Sequence, residues 1–186
     1  AAAGDFNNDG WSDLFVVRQG NPAGENEQIL LLNQRGQSFT TVTNTGIVSR
    51  ELGAAGCGAE TLDYDEDGFL DVIYCNERGR WHLYHNDGVA SGPANYVIVK
   101  VGGSPSGKAT ELGAVLTLHA GGHIYKRVVG ATSAAFSQSC NNHLHVGLGA
   151  CDKVDRATVR WSNGETVEVR MDRVNQSYTA GQLDRN

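Results

Sequence analysis

The sequence predicts an all-β chain, with blade-like repeats in its first half and a β-sandwich-like domain in its second. Three observations lead there. Glycine is frequent (24) and proline scarce (3) among 186 residues, and the apolar residues come in short alternating bursts that suit brief strands joined by tight turns. A nine-residue acidic pattern occurs twice, 58 residues apart, as DFNNDGWSD (5–13) and DYDEDGFLD (63–71). That spacing is a blade-like period rather than a helical one. From Asn95 onward the acidic pattern is absent and alternating segments separated by turns take over.

The acidic pattern reads as a metal-binding loop. In the second copy Asp63, Asp65, Asp67 and Asp71 stand at offsets 1, 3, 5 and 9 around Gly68, followed by Val72 and Ile73; in the first, Asp5, Asn7, Asp9 and Asp13 stand at the same offsets around Gly10, followed by Leu14 and Phe15. Carboxylates this close repel one another, and a hard divalent cation with oxygen ligands is the economical way to hold them together, calcium being the first candidate. Asn7 replaces a carboxylate and should weaken the first site. An EF-hand does not fit: its bidentate glutamate would fall at Val16 and Tyr74, and the flanks read as strands rather than amphipathic helices.

The elements follow in order. LFVVR after the first loop is a short buried strand; QILLLN, a Gln34-Arg35-Gly36 turn and QSFTTVT continue a meander in which Phe39 and Val42 face the core. ETL, the second loop, LDVIYC, the turn ERGR and WHLYHN copy it, and Asn33 and Asn86 each precede a glycine turn. In the second half, Ala157, Val159 and Trp161 share one face and Arg156, Thr158 and Arg160 the other; Val167, Val169 and Met171 repeat the arrangement across a Ser162-Asn163-Gly164 hairpin turn. This gives a sandwich packed on one face and wet on the other.

Charge narrows the function classes. The formal net charge is −6, but seven of the 21 acids are the aspartates of the two loops, and the remaining 14 balance 15 bases. Two bound divalent cations offset most of the acidity, so there is no broad basic face for nucleic acid and no polybasic patch for a membrane. No apolar run approaches the roughly 20 residues that cross a bilayer, and the start lacks the basic and apolar regions of a signal peptide, so we expect a soluble chain whose targeting segment was removed or never included. Four cysteines allow three pairings. Cys57 and Cys75 are equidistant from Glu66, so a hairpin closed by the acidic loop sets them side by side and we expect a disulfide there; Cys140 with Cys151 follows by elimination. Paired cysteines and calcium loops point to an oxidising, calcium-rich exterior.

The DxDxDGxxD loop between short strands, the strand ending near Asn and Gly, and the second copy resemble the FG-GAP or VCBS repeat of integrin-type β-propellers over residues 1–94. The resemblance implies incomplete β-propeller-type blades and calcium held also by the backbone carbonyls of Trp11 and Phe69. Residues 95–186 resemble the ASPIC/UnbV domain that follows such repeats in cartilage acidic protein-like extracellular proteins, on Leu112-Gly113-Ala114, His145-Val146-Gly147-Leu148-Gly149, Val159 to Gly164 and Asn175-Gln176. Ser162 stands where that family usually has proline.

Catalysis finds no support: there is no GxSxG elbow, no phosphate-binding glycine loop, no HExxH, and no carboxylate pair outside the loops. The six histidines read as ordinary surface or core residues. Asn175-Gln176-Ser177 is either a glycan acceptor or the family's Asn-Gln pair with a serine after it. Fewer than two blades cannot close a propeller, and only AAAG precedes the first loop, so the first repeat lacks its opening strand. Either the chain is a fragment of a larger protein, or one subunit's strand completes the next and the contact propagates into a filament. The reading is thus a secreted, calcium-binding structural or adhesion module with protein or glycan partners in the matrix or at the cell surface, not an enzyme. The alternative is a fragment of a calcium-stabilised secreted hydrolase or carbohydrate-binding protein.

Overall fold

The computed structural model describes residues 1–18, 26–43, 45–49, 56–76, 80–88, 92–130, 133–134, 137–138 and 141–183, and every regular element among them is a strand. In chain order the strands are β1 (Ala2–Gly4), β2 (Asp13–Val16), β3 (Asn26–Glu27), β4 (Ile29–Asn33), β5 (Phe39–Val42), β6 (Val48–Ser49), β7 (Gly56–Leu62), β8 (Asp71–Asn76), β9 (Trp81–Tyr84), β10 (Asn95–Val101), β11 (Val115–Ala120), β12 (His123–Val128), β13 (Ser133–Ala134), β14 (Ser137–Gln138), β15 (His143–Gly149), β16 (Arg156–Arg160), β17 (Thr166–Glu168) and β18 (Gln176–Ala180). They fall into two units: Ala1–Phe6 with Trp11–Val89 and Thr132–Gln138, and Asn7–Gly10 with Ala90–Ala131 and Ser139–Asn186.

In the first unit β1-β2-β4-β5 and β7-β8-β9 are antiparallel sheets, and the two-residue pairs β3–β6 and β13–β14 also belong to it. The repeat shows in the pairing: Leu14 faces Leu31, and 58 residues beyond Leu14, Val72 faces Tyr84. The core gathers around Phe15 and Tyr74, both without exposed surface and 5.9 Å apart between ring centroids, with Phe6, Leu70 and Val72 beside them. Phe39, expected inside, is exposed, because β5 is the outermost strand of its sheet.

The expectation that the first repeat lacks its opening strand is overturned. Ala2, Ala3 and Gly4 are that strand, paired with Phe15, Leu14 and Asp13. Its end packs closely on Leu70: a Cβ on Gly4 would come within 2.8 Å of Leu70 Cδ1, so a larger residue there would require the Leu70 side chain to shift. Among the described residues the first blade therefore has four strands and the second three: after β9 the next strand is β10 of the second unit, and no described strand corresponds to β5.

The disulfide expectation is also corrected. Cys75 is a free thiol. The register pairs Leu62 with Asp71 and Gly58 with Cys75. Eight residues separate Leu62 from Asp71, so the hairpin's centre falls between Glu66 and Asp67 rather than on Glu66. The shift of one residue gives Cys75 a glycine partner and leaves Cys57 at the irregularity between Gly56 and Gly58. Cys151 is likewise free; Cys140 lies outside the described residues.

The second unit is a sandwich of β15-β10-β18 and β12-β11-β16-β17. Val97, Val99, Val101 and Val146 of one sheet and Leu116, Leu118, Ala157 and Val159 of the other form its core. The alternation read in 156–161 holds: Ala157, Val159 and Trp161 are buried, Arg156 and Arg160 exposed. The Ser162–Gly164 turn closes the β16–β17 hairpin, with Trp161 N–H donating to Glu165 O (2.9 Å) and Gly164 at φ 88°. Asn175 has a structural role beside β18. Its backbone N–H donates to Tyr96 O (2.7 Å), its Oδ1 accepts from Tyr96 N–H (3.0 Å) and its Nδ2 donates to Asn95 Oδ1 (2.9 Å), which ties β18 to the start of β10.

Trp161 is almost wholly buried and donates its Nε1–H to Gly102 O at 2.9 Å. Trp161→Phe leaves that carbonyl unpaired in the core and should cost about 1–3 kcal/mol, whereas Trp161→Ala adds a cavity and should cost about 3–5 kcal/mol. Urea unfolding of the second unit's transition measures both.

Candidate metal centre

Each acidic loop joins two paired strands: 5–13 joins β1 to β2 and 63–71 joins β7 to β8. The two loops take the same backbone path. Positive φ occurs at Asn8 (57°) and Gly10 (95°), and again at Glu66 (61°) and Gly68 (92°). Asparagine visits this region readily, but a glutamate held there costs about 1–2 kcal/mol. The bonds around Glu66 therefore overrule its local preference.

The aspartate at offset 9 supplies the strongest of those bonds. Asp71 is fully buried. Its Oδ2 accepts from Tyr64 N–H (3.0 Å) at the start of the loop, and its Oδ1 accepts from Asn86 N–H (2.8 Å) beyond β9. Asp13, equally buried, does the same: Oδ2 accepts from Phe6 N–H (3.0 Å) and Oδ1 from Asn33 N–H (2.7 Å). The two asparagines also match. Asn33 donates Nδ2–H to Ser12 O (2.9 Å) and accepts from Gly36 N–H at Oδ1 (2.7 Å); Asn86 donates to Leu70 O (3.1 Å) and accepts from Gly88 N–H (3.2 Å). Asp and Asn thus clamp loop to neighbouring strand in each repeat. Gly88 is confined by the loop as well, since at φ 67° it lies under the Phe69 ring, whose Cε2 a Cβ would meet at 2.5 Å.

The remaining second-loop carboxylates converge. Ligating oxygens of Asp63, Asp65 and Asp67 lie within 4.8 Å of one another. Asp63 Oδ2 accepts from Gly68 N–H (3.0 Å), while its Oδ1 is buried with no hydrogen-bond partner. Burial, outweighing the Gly68 bond with the help of the Asp67, Asp71 and Asp65 charges, holds the Asp63 carboxyl above the usual range. Asp67 Oδ1 accepts from Phe69 N–H (2.8 Å). His85, which sequence reading missed, also faces this cluster: Nδ1 lies 3.2 Å from Asp71 Oδ1 and 3.6 Å from Asp65 Oδ2, and Nε2 4.0 Å from Asp67 Oδ2. Burial lowers its pKa, but the Asp71 bond and the Asp65 and Asp71 charges raise it further than that. The imidazole is thus a ready countercharge. Its only signal in sequence was adjacency to Asn86-Asp87-Gly88. By its donor chemistry, an all-carboxylate set with one buried, unbonded oxygen fits a hard divalent cation.

The first loop is arranged differently. Asp9 N–H donates to Asn7 Oδ1 (3.2 Å) as Asp67 N–H does to Asp65 Oδ1 (3.4 Å), but here Asn7 Nδ2 also donates to Asp9 Oδ2 (3.2 Å), a bond a carboxylate cannot make. Asp5, Asp9 and Asp13 form no ligating group of the kind seen at 63–71 among the described residues. Trp11 stands against the Gly36 turn, with ring Cζ3 at 3.1 Å from a Cβ placed there.

Strand-flanked acidic loops in duplicate, followed by a two-sheet sandwich, define a class of repeat-plus-sandwich β protein. Comparison with family models makes it specific: residues 5–74 match the FG-GAP-like repeat and residues 104–186 match ASPIC and UnbV. The chain thus carries an FG-GAP-like repeat followed by an ASPIC/UnbV domain. A search of curated proteins found no match. The two domains indicate an extracellular protein module. Among the described residues, no helix is long and apolar enough to cross a membrane.

The brace and the ligands separate experimentally. In calcium-free buffer Asp71→Asn should lose at least about 2 kcal/mol, since it turns an amide group toward two backbone donors that now meet a carboxylate. Asp65→Asn, on an exposed carboxylate, should stay within about 0.5 kcal/mol of the parent. Urea titrations in EGTA compare the two.

Proposed function

We propose that the chain is a non-catalytic extracellular module whose blades are stiffened by calcium and whose work is structural or adhesive contact with other proteins or glycans. The observation that carries this is the convergence of Asp63, Asp65 and Asp67 around a buried, unbonded Asp63 oxygen. Those three carboxylates, with the Phe69 carbonyl, would hold the ion, and Asp71 would fix the loop around them. Calcium there supplies the positive charge that the crowded carboxylates lack.

The first loop, with Asp5, Asn7, Asp9, Trp11 and Asp13, is proposed as a second and weaker calcium site, because one ligand is an amide. The family adds support for contact as the function, since FG-GAP repeats often mediate protein interactions. Self-association through open strand edges is the sharper form of the proposal.

Calcium at 100 times its dissociation constant should add about 2.7 kcal/mol of stability, seen as a rise in the first unit's melting temperature that EGTA reverses. The double substitution Asp65→Asn with Asp67→Asn should abolish the rise and leave the calcium-free melt nearly in place. A melting temperature indifferent to calcium in the parent protein would sink the proposal.

A further inference from the structure

Among the described residues the second blade has no counterpart of the strand that β5 supplies to the first, and the directions of its backbone groups identify where such a strand would bind. In blade one, Asn33 N–H points toward Asp13, away from β5, and Leu30 and Leu32 pair with Val42 and Thr40 of β5. In blade two, Asn86 N–H points toward Asp71 in the same way. Alternation along the strand then turns Tyr84 and His82 toward β8 and turns Leu83 and Trp81 outward. Leu83 therefore occupies the place of Leu30, whose partner strand has no counterpart among the described residues. Among the described residues β9 pairs only with β8.

The same chain carries an edge that fits. Gln34 N–H donates to Ser38 O, so Ser38, Thr40 and Val42 face β4, and Phe39 and Thr41 turn their backbone groups outward. Neither strand is protected in the usual way: β5 (FTTV) and β9 (WHLY) contain no Lys, Arg, Asp, Glu or Pro, unlike β12 at the edge of the second unit's four-stranded sheet, which carries Lys126 and Arg127. Both expose large apolar side chains, Phe39 at 48%, Trp81 at 72% and Leu83 at 49%. An aromatic and β-branched edge suits the other as a cross-strand partner.

We infer that β9 of one copy takes β5 of a second copy as its missing fourth strand, on the outward groups of Trp81 and Leu83 against those of Phe39 and Thr41. This rests on the self-association reading above and names its two surfaces. The joined sheet runs β7-β8-β9 into β5-β4-β2-β1 of the neighbour. Because the two edges differ, each copy offers one of each and the contact is head to tail.

Two substitutions test it, each at an outward N–H that its own sheet does not use, where proline is tolerated. Leu83→Pro disables the β9 edge and Thr41→Pro the β5 edge; Leu83→Lys and Thr41→Lys repeat the test with a charge if either proline variant fails to fold by circular dichroism. Sedimentation in calcium should show concentration-dependent oligomers for the parent protein, monomers for each variant alone, and a 1:1 dimer and nothing larger when the two are mixed. A monomeric parent protein, oligomers that persist in a single variant, or a mixture that stays monomeric would overturn the inference. Calorimetric calcium titration of the same samples keeps the two readings apart. Dimers on mixing without calcium binding would remove the calcium reading alone, and calcium binding without dimers would remove the edge pairing alone.

Discussion

The first unit depends on one buried carboxylate per repeat whose two oxygens are both hydrogen-bonded to backbone N–H groups. Asp13 and Asp71 are buried, and each divides its two oxygens between the start of its own loop and the chain at or just beyond the end of the neighbouring strand. A buried charge is tolerated only where hydrogen bonds replace its water. Here the backbone N–H groups of Phe6 with Asn33, and of Tyr64 with Asn86, provide that replacement. The cost of burying the charge and the cost of bending the loop thus offset each other in one contact. The loop then has a fixed shape in which Glu66 tolerates a left-handed backbone and Asp63, Asp65 and Asp67 are aimed at a common point.

This separates two roles that the offsets alone merge. A string of aspartates at 1, 3, 5 and 9 reads as one ligand set, and the string says nothing of which carboxylates are already bonded. In the fold, the aspartate at offset 9 is bonded to backbone N–H groups through both oxygens in each repeat, and in the second loop Asp63, Asp65 and Asp67 come together beside it. Asn86 and Asn33 complete the brace through side-chain bonds to the residue before each aspartate. Their signal, an asparagine ahead of a glycine turn, was visible as a repeat feature but had no partner until the sheet was formed. His85 was less visible still, because its role follows from projecting out of the strand end into the cluster rather than from any spacing.

Much of the architecture could be read in advance where local chemistry and period agree. The duplicated loop, the alternation at 156–161 and the Ser162–Gly164 turn each have a short-range cause, and each holds. The failures are long-range or a matter of parity. Four residues ahead of the first loop looked too few for an opening strand, yet Ala2–Gly4 pair in full with Asp13–Phe15. The cysteines appeared symmetric about Glu66, but an even number of loop residues shifts the register by one and gives Cys75 a glycine partner. Phe39 has the composition of a core residue and an edge strand's exposure.

If hydrogen bonds to Asp71 set the loop's shape, they hold it before any ion arrives. Amide hydrogen exchange at Tyr64 and Asn86 in EGTA tests it most directly. Both amides should be strongly protected in the calcium-free protein, comparably with the neighbouring strand amides of Val72 and Tyr74. Exchange at the rate of an open loop, with protection appearing only on adding calcium, would show that the ion shapes the loop and would contradict the claim.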